Sequence, residues 1–252
     1  MFEFSIEMLL LLVLVAFLSG YIDAIAGGGG LLTIPTLMFA GLSPIQAIAT
    51  NKLQACFGSF SASRFYIRAG LVAPRQMRWS IVVAAVSAAV GAFAIQWIAA
   101  DVLLWVMPFV FIAVALFLMA VPNVGKTARP ATVSERTLNQ TAVPAVSFYD
   151  GFLGPGTGTF FTLSYAQLRG LDLVKATAHA KVLNFTTNIV SLLIFLVAGH
   201  MVLVVGLSMA VAQVIGARLG AAAAIQRGVG FIRGLTVMVC IVMSISLLVR
   251  AL

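Results

Sequence analysis

Of 252 residues, 62% are hydrophobic and only 9% charged, with a mean hydropathy of +1.12. A soluble domain carries roughly 25% charged residues, so that class is excluded and the chain reads as an integral membrane protein. The net charge of +8 does not point to nucleic acid, because several basic residues gather in two short connections, where they carry topology information.

A crossing helix needs about 20 apolar residues. On that measure the predicted spans are 4–24, 44–69, 79–99, 102–121, 140–153, 176–198, 201–222 and 232–251. The first is followed by Ala24-Ile25-Ala26, which imitates a signal-peptide cleavage site. Its leading residues include Glu3 and Glu7 but no Lys or Arg, whereas a secretory leader has a basic start; a retained helix is expected. Next come Asp23 and the run Gly27-Gly28-Gly29-Gly30, which leads into a short apolar piece, 31–40. The stretch 64–78 holds Arg64, Arg68, Arg75 and Arg78 without an acid. The only long polar stretch, 122–139, holds Lys126, Arg129 and Arg136 against Glu135. Both are expected to be cytoplasmic, with Asp101 outside. After Asp150, the segment "GPGTGT" (Gly154 to Thr159) leads into a second short apolar piece, 159–169. Arg64 and Arg68 read as interfacial anchors and His200 as a loop residue. Cys56 and Cys240 lie in separate apolar runs and read as small buried residues.

Shifting the chain by 129 positions superposes Gly27 on Gly156, Gly29 on Gly158, Thr33 on Thr162, Gly41-Leu42 on Gly170-Leu171, and Ala47, Ala49 and Lys52 on Ala176, Ala178 and Lys181. The lysine match weighs most, since the chain has only four lysines. With two extra residues in the second glycine segment, Asp23 also meets Asp150. An internal duplication follows: a first repeat 1–121, a linker 122–139 and a second repeat 140–252. The basic loop 70–78 corresponds to 199–205, which has only His200 in the way of charge. Equivalent loops therefore fall on opposite sides. The expected fold is an all-α, polytopic membrane protein of two inverted repeats, each with about five hydrophobic segments. Of about eight to ten segments in all, two are short Gly-broken half-helices.

Short, glycine-interrupted segments at matching places point to a transporter binding site. A glycine run is a poor helix, and broken backbone at membrane depth is tolerated only inside protein or beside a water-filled cavity. A helix restarting at Leu31 turns unpaired N–H groups and a positive dipole end towards that cavity, as an anion site would. Gly156, Thr157, Gly158 and Thr159 would supply a second one. Close helix packing is the other use of such glycines. Lys52 and Lys181 fall about eight residues into their helices, near the midplane, where an ionisable residue is a functional hypothesis; the alternative is snorkelling. Thr50, Asn51 and Gln54 flank one lysine, and His179, Asn184, Thr187 and Asn188 the other. Thr177, Lys181, Asn184, Asn188 and Ser191 form one polar stripe at helical spacing. Asp23 and Asp150 have three readings: proton carriers, partners of the lysines, or caps of the glycine turns.

The stretches "GYIDAIAGGGGLLTIP", "ATNKLQACFGS", "YDGFLGPGTGTFF" and "AHAKVLNFTTNIV" resemble the sulfite exporter TauE/SafE family, in order and over nearly the whole chain. The resemblance implies a multi-pass transporter of the bacterial inner membrane that moves a small sulfur-containing anion such as sulfite or an organosulfonate. It carries binding positions onto Gly27 to Gly30, Thr50, Asn51 and Lys52, and onto Gly154 to Thr159 with Lys181 and Asn184. His179 and Ala180 stand where the first half has Thr50 and Asn51, so the ligand shell is not expected to be symmetric.

The leading functional expectation is therefore a secondary transporter. The alternatives are a passive anion channel and a carrier of an unrelated small organic anion. No nucleotide-binding G-x-x-x-x-G-K-[ST] occurs, and neither H-E-x-x-H nor G-x-S-x-G is present, so an intramembrane enzyme is not expected. The expected partners are the anionic substrate, the bilayer and, as an open alternative, a second copy of the chain. No cofactor, metal or nucleic acid is expected.

Overall fold

The computed structural model describes residues 5–120 and 128–227. The first half contains α1 (Ile6–Ala26), α2 (Gly30–Phe39), α3 (Pro44–Arg68), α4 (Arg78–Ala94, prolonged by a 3-10 turn, Ile95–Trp97) and α5 (Ala100–Ala120). The second contains α6 (Glu135–Gln140), α7 (Ala142–Phe152), α8 (Thr157–Leu168), α9 (Leu173–Val197) and α10 (Leu203–Arg227). Every regular element among the described residues is helical, as the composition required. The predicted span 232–251 lies outside the described residues.

Local signals set the helix ends. Ser43 and Gln46 form a reciprocal capping box with Pro44 as the first helical residue of α3, satisfying two N–H groups that helix starts otherwise leave open. Asp172 caps α9 by accepting from the Lys175 N–H at 3.0 Å. Just past their C-terminal ends lie Gly70 (φ +72°) and Gly199 (φ +74°), in the left-handed region that residues with a Cβ avoid. These two glycines are themselves related by the shift of 129, as are the first and last residues of α3 and α9.

One predicted span is corrected. Residues 140–153 form no crossing helix: α7 has 11 residues, about 17 Å at 1.5 Å per residue. Thr141 (φ −125°, ψ −81°) separates it from α6, whose start is capped by Ser134. Helices long and apolar enough to cross are Ile6–Ala26, Arg78–Trp97, Ala100–Phe117, Leu173–Val197 and Leu203–Gln226. The predicted span 44–69 corresponds to α3, which matches α9 in length at 25 residues but is too polar to qualify on composition. Its polar residues Thr50, Asn51, Lys52, Gln54, Ser59 and Ser63 are all buried.

Polarity is thus distributed inside out. Val82, Val86 and Val90 on α4, and Val211, Ile215 and Leu219 on α10, are exposed. Each set recurs every four residues, and the two sets are again 129 apart. An apolar outer stripe over a polar interior suits lipid as the surrounding solvent.

The halves interlock. α10 packs along α1 and α3, whereas α4 packs along α7 and α9 of the other half. Glycines set these close approaches: a Cβ on Gly220 would lie 2.2 Å from the Tyr21 carbonyl oxygen, and one on Gly91 would lie 2.2 Å from that of Phe148. α3 and α9 cross in opposite directions. Ser63, late in α3, donates to the carbonyl of Lys181, early in α9, at 2.7 Å. Leu53 and Cys56, in the middle of α3, pack with Leu192, late in α9. The basic segment 75–79 and residues 135–140 line one open cleft of about 750 Å³, joined by Ser80 donating to Asn139 Oδ1 at 2.6 Å. The two stretches expected on the cytoplasmic side therefore share one face.

Candidate functional site

The two glycine breaks meet at the centre of the structure. Gly27 (φ +74°) ends α1, and Gly156 (φ +79°) precedes α8. A Cβ on Gly27 would sit 2.2 Å from the Thr159 nitrogen, and one on Gly158 would sit 2.8 Å from the Gly27 Cα. Only glycine permits both this backbone turn and this approach. Thr159 reinforces the contact by donating to the carbonyls of Ala26 (2.9 Å) and Gly27 (3.1 Å).

Around this contact four buried charges pair across the halves. Lys52 donates to Asp150 Oδ1 at 2.6 Å and to the Asp150 carbonyl at 2.5 Å. Lys181 donates to Asp23 Oδ2 at 2.8 Å. Both lysines are fully buried, at 0% exposure. A lone buried charge is costly and a paired one much less so; here each repeat supplies the counter-charge of the other. The second carboxylate oxygen is also held in both cases. Asp23 Oδ1 accepts from the Gly28 and Gly29 N–H groups, each at 3.1 Å. Asp150 Oδ2 accepts from Asn184 Nδ2 at 3.3 Å and from the Thr187 hydroxyl.

This changes the expectation for the half-helix start. The Gly28 and Gly29 N–H groups are not open to an external anion, because a resident carboxylate occupies them. The Leu31, Leu32 and Thr33 N–H groups are taken by carbonyls of Gly28 and Gly29. Asp23 is thus both a cap of the glycine turn and a lysine partner.

A small cavity of about 20 Å³ lies between the breaks, lined by Asp23, Gly28 to Gly30, Asn51, Ala55, Asp150, Gly154, Gly156 to Gly158, Asn184, Asn188 and Gln213. That volume has room for about one water. Asn51 has a fixed orientation. Its Oδ1 accepts from the Thr33 hydroxyl at 2.6 Å and from Gln54 Nε2 at 3.1 Å, which leaves Nδ2 as its remaining polar group. Asn188 spends an N–H on the Asn184 carbonyl at 2.6 Å.

The sequence-predicted residues therefore divide. Asp23, Gly28, Gly29, Gly30, Asn51, Asp150, Gly156, Thr157, Gly158 and Asn184 line the cavity. Lys52 and Lys181 stand directly behind two of the glycines: Cβ atoms on Gly154 and Gly158 would lie 3.0 and 3.1 Å from their Nζ atoms. Gly27 and Thr159 join the breaks, and Gln54 orients Asn51. Thr50 and His179 are elsewhere. The Thr50 hydroxyl accepts from the Val202 N–H at 3.1 Å just before α10. His179 bonds through Nδ1 to the Lys175 carbonyl at 2.8 Å, rests on Tyr165 at 5.0 Å between ring centres, and faces the 67–76 connection. Sequence reasoning missed Gln213. Its signal was present, a single carboxamide within the apolar run 203–217, but the repeat offered no match, since its counterpart is Ala84.

The family profile described as sulfite exporter TauE/SafE matches residues 12–247. The chain is similar to a protein of Escherichia coli (strain K12) named "Probable membrane transporter protein YfcA". The two are 44% identical over 247 residues, covering 97% of this chain and 92% of that protein. It is 40% identical over 246 residues to "Probable membrane transporter protein ORF9" of Sinorhizobium sp, covering 98% and 94%. A Haemophilus influenzae protein named "Probable membrane transporter protein" is 38% identical over 242 residues, covering 96% and 95%. No solved structure matches.

Proposed function

This chain belongs to the sulfite exporter TauE/SafE family of membrane transporters, and on that premise we propose that it is a secondary transporter of a small sulfur-containing anion, sulfite or an organosulfonate, bound between its two halves. The observation that carries this reading is the crossed pairing of Asp23 with Lys181 and of Lys52 with Asp150 around one polar cavity. Ionisable groups at membrane depth mark substrate paths and relays. Here they join the two bodies that must separate if access is to alternate. The antiparallel crossing of α3 and α9 supports inverted repeats, the arrangement in which one half rocks against the other. The shared basic cleft supports a cytoplasmic side at 64–78 and 122–139, in a bacterial inner membrane.

Transport begins with an anion oxygen competing for a lysine. As Lys52 or Lys181 turns to it, the matching carboxylate loses a partner, the tie across the halves weakens, and the cavity widens. Asp23 and Asp150 are then the groups placed to take up a proton, which would couple transport to the proton gradient. The test is anion-dependent thermal stabilisation of the purified protein with sulfite, sulfate, thiosulfate, taurine, sulfoacetate and chloride at equal ionic strength. A ligand that binds only the folded state raises its stability. Selective stabilisation by a sulfur anion, lost in Lys52→Ala or Lys181→Ala, is expected; no selective response overturns the assignment.

A further inference from the structure

The buried charges of the site sum to zero. Lys52 and Lys181 are each matched by one carboxylate, so discrimination between ligands falls to the neutral groups. Among the polar side chains lining the cavity, Asp23, Asn51, Asp150, Thr157, Asn184 and Asn188 are each held by at least one hydrogen bond. Among the described residues Gln213 finds no hydrogen-bond partner, although it is only 2% exposed and its Oε1 is buried. A buried amide left unpaired is costly, and such groups in native proteins call for an explanation.

Its seat is built for it by the other half. A Cβ on Gly58 of α3 would lie 2.4 Å from Gln213 Cγ and 3.1 Å from Nε2, and one on Gly20 of α1 would lie 2.5 Å from the Gln213 carbonyl oxygen. Two glycines thus bring α10 close enough for this side chain to reach the cavity. The equivalent position in the first half, Ala84, has no polar group.

We propose that Gln213 is the specificity-determining contact of the site, and that it selects an anion that carries a hydrogen-bond donor over one that does not. This rests on the transporter reading above. Whichever way the amide is turned, it presents an N–H₂ and a C=O. An anion oxygen satisfies the N–H₂ alone. The C=O needs a hydroxyl, an amine or an acidic proton on the ligand. Asp23 and Asp150 in the lining are likewise acceptors, while Asn51 Nδ2 is the donor left for an anion oxygen. A fully deprotonated oxyanion such as sulfate would leave the Gln213 oxygen unpaired in a cavity that two carboxylates also line. A site built to bond a ligand hydroxyl rejects the analogue that lacks it.

The test compares 2-hydroxyethanesulfonate with ethanesulfonate, which share a charge and differ by one hydroxyl. Apparent affinities are read from the concentration dependence of thermal stabilisation of the full chain, for wild type, Gln213→Leu and Gln213→Met. Wild type should bind the hydroxyl compound about tenfold more tightly, the lower end of what satisfying a buried orphan group supplies. Both variants should bind the two sulfonates equally, near the wild-type affinity for ethanesulfonate. Equal affinities in wild type overturn the inference without any variant, as does a preference that survives in either substitution. If wild type responds to no sulfur anion at all, the transporter assignment itself falls and takes this inference with it.

Discussion

Truncating Asp150 to alanine would strand Lys52. Its ammonium, at the centre of the structure with its side chain 1% exposed, would keep only the main-chain carbonyl of residue 150. Asn184 and Thr187 would lose the carboxylate oxygen they share. Breaking a buried pair by removing one partner costs about 3–5 kcal/mol, and the orphaned Asn184 amide puts Asp150→Ala towards the upper end, while Thr187 keeps the Leu183 and Asn184 carbonyls as acceptors. Lys52→Met should cost less, near the lower end, because the Asp150 carboxylate keeps Asn184 and Thr187 as donors. Replacing both at once, Lys52→Met with Asp150→Leu, removes both charges and their desolvation cost. It should recover at least about 2 kcal/mol relative to the sum of the single changes, a coupling typical of residues in one network. Denaturant or thermal unfolding of the four proteins in one detergent, with the wild type closing the cycle, measures this directly. Single substitutions that each cost under about 1 kcal/mol, or effects that simply add, would refute the argument that the crossed pairs hold the halves together.

Other outcomes follow from single distances. Gly220→Val and Gly91→Val should each destabilise by about 3 kcal/mol through overpacking against a backbone carbonyl, with matching losses of monodisperse protein on size exclusion; tolerance of either would contradict the close approach of α10 to α1 or of α4 to α7. Gly70→Ala and Gly199→Ala meet no atom within 4 Å, so they should cost only the left-handed backbone penalty, about 1–2 kcal/mol, in the same unfolding assay. Thr50→Val should cost about 1 kcal/mol by leaving the Val202 N–H without its acceptor. Anion-dependent stabilisation should persist in that variant, and its loss would put Thr50 back among the ligand contacts. In a background without Cys56 and Cys240, a membrane-impermeant thiol reagent should label Gln76→Cys and Ala198→Cys from opposite sides of the membrane. Labelling from one side would refute inverted topology.

Some of this was written along the chain. Composition alone placed the protein in a membrane, because too few polar residues exist to cover a soluble surface. The shift of 129 residues pointed to a duplication, and the structure has the matching features in the equal lengths of α3 and α9, their paired glycine caps and the outer stripes of α4 and α10. Glycine runs beside aspartates marked the broken segments, because no other residue tolerates that backbone. The polar stripe on α9 reads as facing a cavity or pore and not lipid; Thr177, Lys181, Asn184, Asn188 and Ser191 are all buried, and Asn184 and Asn188 line the cavity.

What only the tertiary structure decided is partnership. Asp23 lies 158 positions from Lys181, and Lys52 lies 98 from Asp150. No local pattern says which acid meets which base, since pairing within each repeat would satisfy charge equally well. The interlocked halves impose the crossed choice. The same packing turned Thr50 and His179 away from the cavity although their spacing matched that of true neighbours, and it brought in Gln213, for which the repeat has no counterpart. Periodicity, capping and composition act over one or two helical turns, so they can be read in sequence. A site assembled from seven helices of two interpenetrating halves exists only once those helices have packed.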